Sequence, residues 1–414
     1  VSTAHVSPVH GGLAAPVDRL TSPDEAAAWS DLPTLDVVEV DRTTLYRIAD
    51  GTLSPLEGPM GEADYRSVLE RGAIERDGKL WAWTIPIVLP VTEVEKPALG
   101  TEVALAFEGE VFGKLEVDSV FAWDKPAFVK AVYGTERMDH PGARLWTEDP
   151  RETLVGGRIT LVPFEDDRPF ADRVMSPTQT RALIEDAGFE QTVAFQTRNP
   201  LHRAHEYALV YGAESILRAG GRKTGVVLNP LVGQLKGDDV PAATRMQTYE
   251  ALVDGKFLGQ GDMDEELWEQ RGQDLNDQLH LIGLDMRMYY GGPREAVMHA
   301  IYRQNYGFSD LVIGRKHADA PYEDGSPIWG DFDAQQVFQE LAGELHLRPC
   351  NVGFAAYYES LGRVDLTENH PDEKPVAVSG TKVREQLKGG EAPDPRIMRP
   401  ETAQILIEAY RGKA

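Results

Sequence analysis

The sequence predicts a mixed α/β protein in which a mostly-β domain precedes a parallel-sheet domain. Three observations carry that prediction. At 414 residues the chain is too long for one ordinary domain, and its length suggests two or three. Between residue 35 and about residue 162, short β-prone runs alternate with turn residues. From Ser176 onward, strand-like and helix-like patterns take turns. Such alternation implies a parallel sheet with helices on both faces and ligands at the carboxyl ends of its strands.

In chain order, residues 1 to about 30 are rich in Pro, Gly, Ala and His and read as an arm with little regular structure. The β-prone runs that follow lie at 81–89, 102–107 and 114–121. A Pro- and Asp-containing stretch at 163–177 reads as a linker, and Ser176-Pro177 opens a helix carrying Arg181, Leu183 and Ile184 at helical spacing. Strands are predicted at 192–195, 225–229 and 310–313, and helices at 201–218, 242–253 and 293–306. The acidic, Gln-rich stretch between Gly255 and Asp285 reads as a solvated helix or surface insertion and is assigned no chemistry. A helix at 334–345, a short strand region and a closing helix end the chain. The expected domains are therefore 1–170, 171–330 and 331–414.

Composition narrows the function classes. Hydrophobic residues make up 42% and charged residues 26%, as in a globular protein. No run approaches the ~18 to 20 apolar residues of a membrane span, and no charged-then-apolar leader is visible. One cysteine excludes an internal disulfide framework and fits a reducing compartment, so a cytoplasmic location is expected. The formal net charge of −25 opposes nonspecific binding to nucleic acid or an anionic membrane. Against that acidity, basic residues in polar turns become informative: Arg198, Arg203, Arg315, Lys316 and Arg384.

The densest motif is the stretch from Val193 to Glu206. Strand-prone Val193, Ala194 and Phe195 lead into the polar run Gln196, Thr197, Arg198 and Asn199, and then into Pro200 and a helical pattern. Asn199 suits an N-cap and Pro200 the first helical position. A strand feeding a helix through a polar turn leaves backbone N–H groups and a positive dipole end at the strand's carboxyl edge, which is an anion site. His202 and His205, three apart, share a face with those amides, and Arg198 adds a fixed charge. The histidine spacing alone also admits surface residues, a satisfied buried pair or half of a metal site. Zinc would want three or four ligands, and Cys350 lies far off in sequence.

The run Gln196 to Glu206, QTRNPLHRAHE, resembles the ATP sulfurylase (sulfate adenylyltransferase) family, where Gln-Thr-Arg-Asn-Pro-x-His-x-x-His binds ATP and sulfate. Val9-His10-Gly11-Gly12 and the stretch from Leu53 to Arg66 resemble the family's N-terminal segment and PUA-like β-barrel domain. Gly291-Gly-Pro-Arg-Glu-Ala-Val-Met-His299 also matches. The loop after Ile313 is similar to the family's second ATP-contacting element, implying Gly314, Arg315, Lys316 and His317 at the nucleotide and the Ala318 backbone near sulfate. Ser379-Gly-Thr-Lys-Val-Arg384 resembles the Ser-x-Thr-x-x-Arg element of the wider nucleotidylyltransferase superfamily. There Thr381 would cap a helix, and Arg384 would reach a phosphate or pair with acids such as Glu385.

The resemblance implies a PUA-like β-barrel, a Rossmann-like nucleotidylyltransferase domain and a small C-terminal α/β domain. It implies attack by a sulfate oxygen on the α-phosphorus of ATP, giving adenosine 5′-phosphosulfate and pyrophosphate, or the reverse. Thr197, Arg198, Asn199, His202 and His205 would form the catalytic set. Gln196 would join them at ATP, and Gln196, Arg198 and Ala318 would meet sulfate. Mg²⁺ would accompany ATP, with no metal site on the protein, and the assembly would be a homo-oligomer. Lacking a Gly-x-x-x-x-Gly-Lys-Ser/Thr loop, the chain is expected to be monofunctional, without a kinase domain for the phosphosulfate. Four positions depart from the pattern: Asn229, Tyr289, Lys316 and Asp319. They leave open an adenylyltransferase whose acceptor is another oxyanion, such as selenate or a phosphonate. The PUA-like segment leaves open RNA binding.

Overall fold

The computed structural model describes residues 4–233, 240–376 and 380–412. Strands β1 (Thr34–Asp36), β4 (Leu89–Val91), β5 (Glu102–Phe107), β6 (Glu110–Ala122) and β7 (Thr153–Leu161) form a mixed sheet in the order β1-β5-β6-β7-β4, and β2 (Ala73–Arg76) with β3 (Lys79–Ala82) forms a separate hairpin. β5, β6, β7 and β4 are antiparallel neighbours, while β1 runs parallel to β5. Register breaks at Leu105/Ala106 and Val117/Ser119 increase the bend of the long β6. The predicted run at 81–89 is not one strand. β3 ends at Ala82 and β4 begins at Leu89, because Pro86 has no N–H for a ladder and the intervening Trp83 donates its indole N–H to Ile85 O instead.

The second sheet is wholly parallel: β8 (Gln191–Phe195), β9 (Thr224–Leu228), β10 (Leu279–Leu281), β11 (Asp310–Ile313) and β12 (Arg348–Asn351), in the order β10-β9-β8-β11-β12. Its strands obey a period of two on both faces. Ala194, Val227, Leu311 and Ile313 join one core with the helix Pro293–Asn305. Val193, Phe195, Val226, Leu228 and Val312 join another with the helix Arg203–Arg218. The latter helix lies close to the sheet because Gly212 faces it: a Cβ there would stand 2.7 Å from Val312 Cγ2 and 3.1 Å from Val193 Cγ2. The helix Pro177–Ala187 begins as its sequence predicts, with Ser176 and Gln179 forming a reciprocal capping box, and ends at left-handed Gly188. A hairpin, β13 (Ala355–Tyr358) with β14 (Arg363–Leu366), and two helices, Gly380–Lys388 and Pro400–Arg411, complete the chain.

Three other expectations need correction. The helix at 334–345 shrinks to Asp333–Gln336 and a 3-10 turn, Val337–Gln339. Beyond it the backbone pairs with β3 instead, Glu344 N–H donating to Leu80 O and Ala82 N–H to Glu344 O, with Gly343 pressed against the Trp81 backbone. The acidic stretch is not merely solvated, since Asp262 and Trp268 are buried. The N-terminal arm is irregular but packed inside, with His10 fully buried between Ala82 O and the Asn305 side chain. No helix among the described residues is long and apolar enough to cross a membrane.

Candidate active site

A cavity of about 540 Å³ opens at the carboxyl ends of β8 and β11, within the ~300–1,000 Å³ range of small-ligand sites. Eleven residues singled out from the sequence line it: Gln196, Thr197, Arg198, Asn199, His202, His205, Gly314, Arg315, Lys316, His317 and Ala318. No Asp or Glu does. In a chain of net charge −25 that exclusion leaves Arg198, Arg315 and Lys316 to set a positive field inside the cleft.

The loop after β8 is held open by its neighbours. Leu231 N–H donates to Thr197 O at 2.9 Å, and Tyr249 Oη donates to Asn199 O at 2.9 Å. The Thr197 hydroxyl is spent locally, bonding Asn199 O at 2.9 Å. These ties delay the helix, so Asn199 is not its N-cap. The helix starts at Arg203 with His202 in the cap position, and no side chain caps it. The anion site is also narrower than predicted. Arg203 N–H is taken by Ile397 O at 2.8 Å, and His205 and Glu206 N–H both turn back to His202 O.

Side-chain groups make up the difference. The His202 and His205 rings stack with centroids 3.7 Å apart. Each has a buried Nδ1 without a partner among the described residues, as have Gln196 Oε1 and Arg198 Nη1. Four orphaned polar atoms around one cavity are what a polar ligand would satisfy. Arg198 is half-buried, lies 5.1 Å over the Tyr290 ring and reaches Asp319 O at 3.4 Å. Arg315 covers the Phe354 ring at 4.4 Å, and Lys316, at φ 48°, lies 3.6 Å from Asp331.

Comparison with known proteins agrees with this arrangement. The ATP-sulfurylase family profile matches residues 171–409, and that of a PUA-like domain matches residues 7–164. The chain belongs to the ATP-sulfurylase family. A sulfate adenylyltransferase of Pyropia yezoensis is 61% identical, with 99% of this chain and 98% of that protein covered. One from Deinococcus radiodurans is 37% identical over 98% of this chain and 96% of that protein. The hexameric APS kinase from Thiobacillus denitrificans has a similar fold, with a TM-score of 0.71 at 19% identity, covering 97% of this chain and 68% of that one.

Set against the family pattern, burial decides the charge of the histidines. Desolvation lowers His202 to about 4 and holds His205 well below its ordinary value, so both are neutral hydrogen-bonding groups in the free cavity rather than fixed cations. The four departures from the pattern do not gather on the cavity. Only Lys316 lines it. Tyr289 is buried and stacks on Trp146 at 5.8 Å, and Asn229 is buried with its amide donating to Ile282 O. Asp319 contributes its carbonyl to Arg198.

The third element stands further off. Gly380 lines the cavity, but Thr381 and Arg384 are exposed on the helix Gly380–Lys388 and are not part of its wall. Thr381 lies inside that helix rather than capping it, and Ser379 falls outside the described residues.

Sequence reading missed the apolar wall, Val352, Gly353, Phe354 and Ala355 with Met288 and Ala208. It also missed a buried polar line behind the basic loop. His317 Nε2 is 2.9 Å from His299 Nδ1, and His299 Nε2 is 3.4 Å from Glu295 Oε1 and 3.3 Å from Gln196 Nε2. The signal was present in Glu295 and His299, one helical turn apart beside the matched Gly-Gly-Pro, but neither was assigned a role.

Among the described residues no group of three His, Cys, Asp or Glu is placed to hold a metal. With no carboxylate of the described residues in the wall, the cavity fits a divalent cation as a passenger on bound phosphates.

Proposed function

We infer that this protein is a sulfate adenylyltransferase, joining the adenylyl group of ATP to sulfate with release of pyrophosphate, or running the reverse. One observation carries the reading: the Gln196–His205 run and the Gly314–Ala318 loop converge on one cavity that no carboxylate of the described residues lines, and four of its buried polar atoms have no protein partner among those residues. Both substrates are anions that repel each other, so catalysis reduces to positioning and charge neutralisation, with no covalent intermediate on the protein. Arg198 holds sulfate, with Gln196 and the Ala318 backbone beside it. Asn199, His202 and His205 face the polyphosphate and the charge that grows on departing pyrophosphate. Arg315, Lys316 and His317 close over the nucleotide from the β11 side, and the apolar Val352–Ala355 wall takes the adenine. Mg²⁺ enters on the phosphates and supplies further neutralisation. Thr381 and Arg384 could approach a bound phosphate only if their helix moved inward. The divisions 1–170, 171–330 and 331–414 serve as support, catalysis and an outer wall, and the enzyme works as a homo-oligomer.

The test is ATP-dependent pyrophosphate release with sulfate, run beside selenate and phosphonates. Sulfate should support the highest kcat/KM, and Arg198→Ala should lose ~10²-fold or more in turnover with unchanged thermal melting. Sulfate-independent or selenate-preferring release would replace this reading with another acceptor.

A further inference from the structure

Two titratable side chains behind the cavity, Glu295 and His299, have no part in the reaction just described, and they connect to His317 in its wall. Glu295 and His299 are fully buried, one turn apart on the helix Pro293–Asn305, and His317 is half-buried in the cavity wall. Glu295 accepts the N–H groups of Tyr289 at 2.8 Å and Gly291 at 2.9 Å, which fixes its carboxylate beneath the loop. Its Oε1 lies 3.4 Å from His299 Nε2, and His299 Nδ1 lies 2.9 Å from His317 Nε2. His317 Nδ1 makes no hydrogen bond among the described residues. A proton on His299 Nε2 suits the carboxylate. With the Gln196 amide turned, its Oε1 accepts from the same nitrogen, and its NH2 group takes the partnerless position that a ligand would fill. His299 Nδ1 is then a lone pair, His317 must donate from Nε2, and the His317 nitrogen left for the cavity is a proton acceptor.

We propose that Glu295, His299 and His317 form a buried relay through which His317 takes up a proton at Nδ1 when the polyphosphate of ATP enters the cavity. The proton comes from solvent, the His317–His299 hydrogen bond and the His299 Nε2–H contact with the Gln196 amide stay in place, and the imidazolium formed is balanced by the Glu295 carboxylate, 3.4 Å from His299 Nε2. This converts a neutral wall into a donor matched to the incoming charge. The groups facing the relay are Arg198 and Arg303, which oppose protonation of both imidazoles, and the Tyr302 hydroxyl on the same helix, while Lys316 and Arg315 precede His317 in the loop and turn to Asp331 and Phe354. In the empty cavity desolvation keeps both imidazoles neutral, and burial raises Glu295 to about 7, so it is ionised at mildly alkaline pH. The relay rests on the proposed function only in taking ATP as its ligand.

The experiment is calorimetric binding of MgATP at pH 8 in two buffers of different ionisation enthalpy, which counts protons taken up. Relative to wild type, Glu295→Gln, His299→Gln and His317→Gln should each lose roughly half a proton or more. In Glu295→Gln the alkaline rise in KM for ATP should begin about one pH unit lower, since removing the anion lowers the His317 pKa. A purely packing role would not move either readout. His317→Gln sits at the cavity edge and keeps the test open if the two buried variants misfold. Uptake unchanged in His317→Gln, or in folded Glu295→Gln, would overturn the relay. Sulfate-dependent pyrophosphate release by wild type is read separately, and its absence would remove the assigned reaction while proton counting still decides the relay.

Discussion

Replacing Arg399 with alanine is expected to destabilise the protein by about 3–5 kcal/mol at pH 8, the usual consequence of stripping one partner from a buried ion pair. Arg399 Nε lies 2.7 Å from Glu206 Oε2, the two side chains being 10% and 0% exposed, and its Nη2 donates to Gln260 O at 2.9 Å. In its absence Glu206 keeps one bond, from Gly259 N–H at 3.0 Å, while its other oxygen has no partner. Buried Asp262 is then left to Arg203 and the Val364 N–H.

Burial already raises the Glu206 pKa in spite of the arginine. A carboxyl raised above its unfolded value contributes stability when protonated and loses it as pH climbs through the folded pKa. The deficit in Arg399→Ala should therefore be smaller at pH 5.5 than at pH 8. Glu206→Gln combined with Arg399→Met removes both charges and should recover most of the loss. Urea unfolding at the two pH values measures it, and MgATP affinity reports whether the first turn of the site helix has shifted. A deficit below about 1 kcal/mol, or a double variant no better than the single, would refute the reasoning.

Two other outcomes follow from the same physics. Burial holds His10 at about 3 and His202 at about 4. Each stays neutral in the folded state while the unfolded chain protonates near 6.5, so their contribution is complete above that pH and is lost on acidification, by about 5 kcal/mol for His10 and about 3 kcal/mol for His202 over the full span. Glu295, raised to about 7, works in the opposite direction between its unfolded value and that pH; His10→Gln should flatten the acid limb of a stability–pH curve, and an unchanged limb would assign it to other groups. Gly212→Val should lower stability by about 2 kcal/mol or more, because the added methyls meet Val312 and Val193 on two strands. Thermal melting with KM for ATP tests it, and a stabilised variant would mean that helix propensity outweighs the clash.

The parts of the fold legible in the sequence are those where local pattern and burial coincide. Val193 to Phe195 and Leu311 to Ile313 are short apolar runs bounded by polar turns, and both are central strands. Ser176 with Gln179 carries a complete start signal, and the helix obeys it. Asn199-Pro200 carries a similar signal, yet the helix begins three residues later, because Tyr249 and Leu231, distant in sequence, hold the loop extended. The polar side of the site was legible because its chemistry is written in adjacent residues. Its apolar wall was not, since Val352 and Phe354 look like any core residues until β12 delivers them to the cavity. Glu295 and His299 escaped for a related reason. On an isolated sequence they read as the polar face of a surface helix, but every residue of Pro293–Asn305 from Glu295 onward is buried.

The N-terminal arm has a consequence for synthesis. His5 and Ser7 bond Phe189 and Gly307, and His10 bonds Asn305, a separation of 295 residues. At roughly 5–20 residues per second, translation leaves this arm waiting about 15 to 60 s for its last anchor. Until then the nascent chain carries an undocked leading strip beside a sheet whose own strands are already complete. Substitutions that weaken its bonds to Phe189, Gly307 and Asn305 would burden the ribosome-bound molecule before any harm was visible in the finished one.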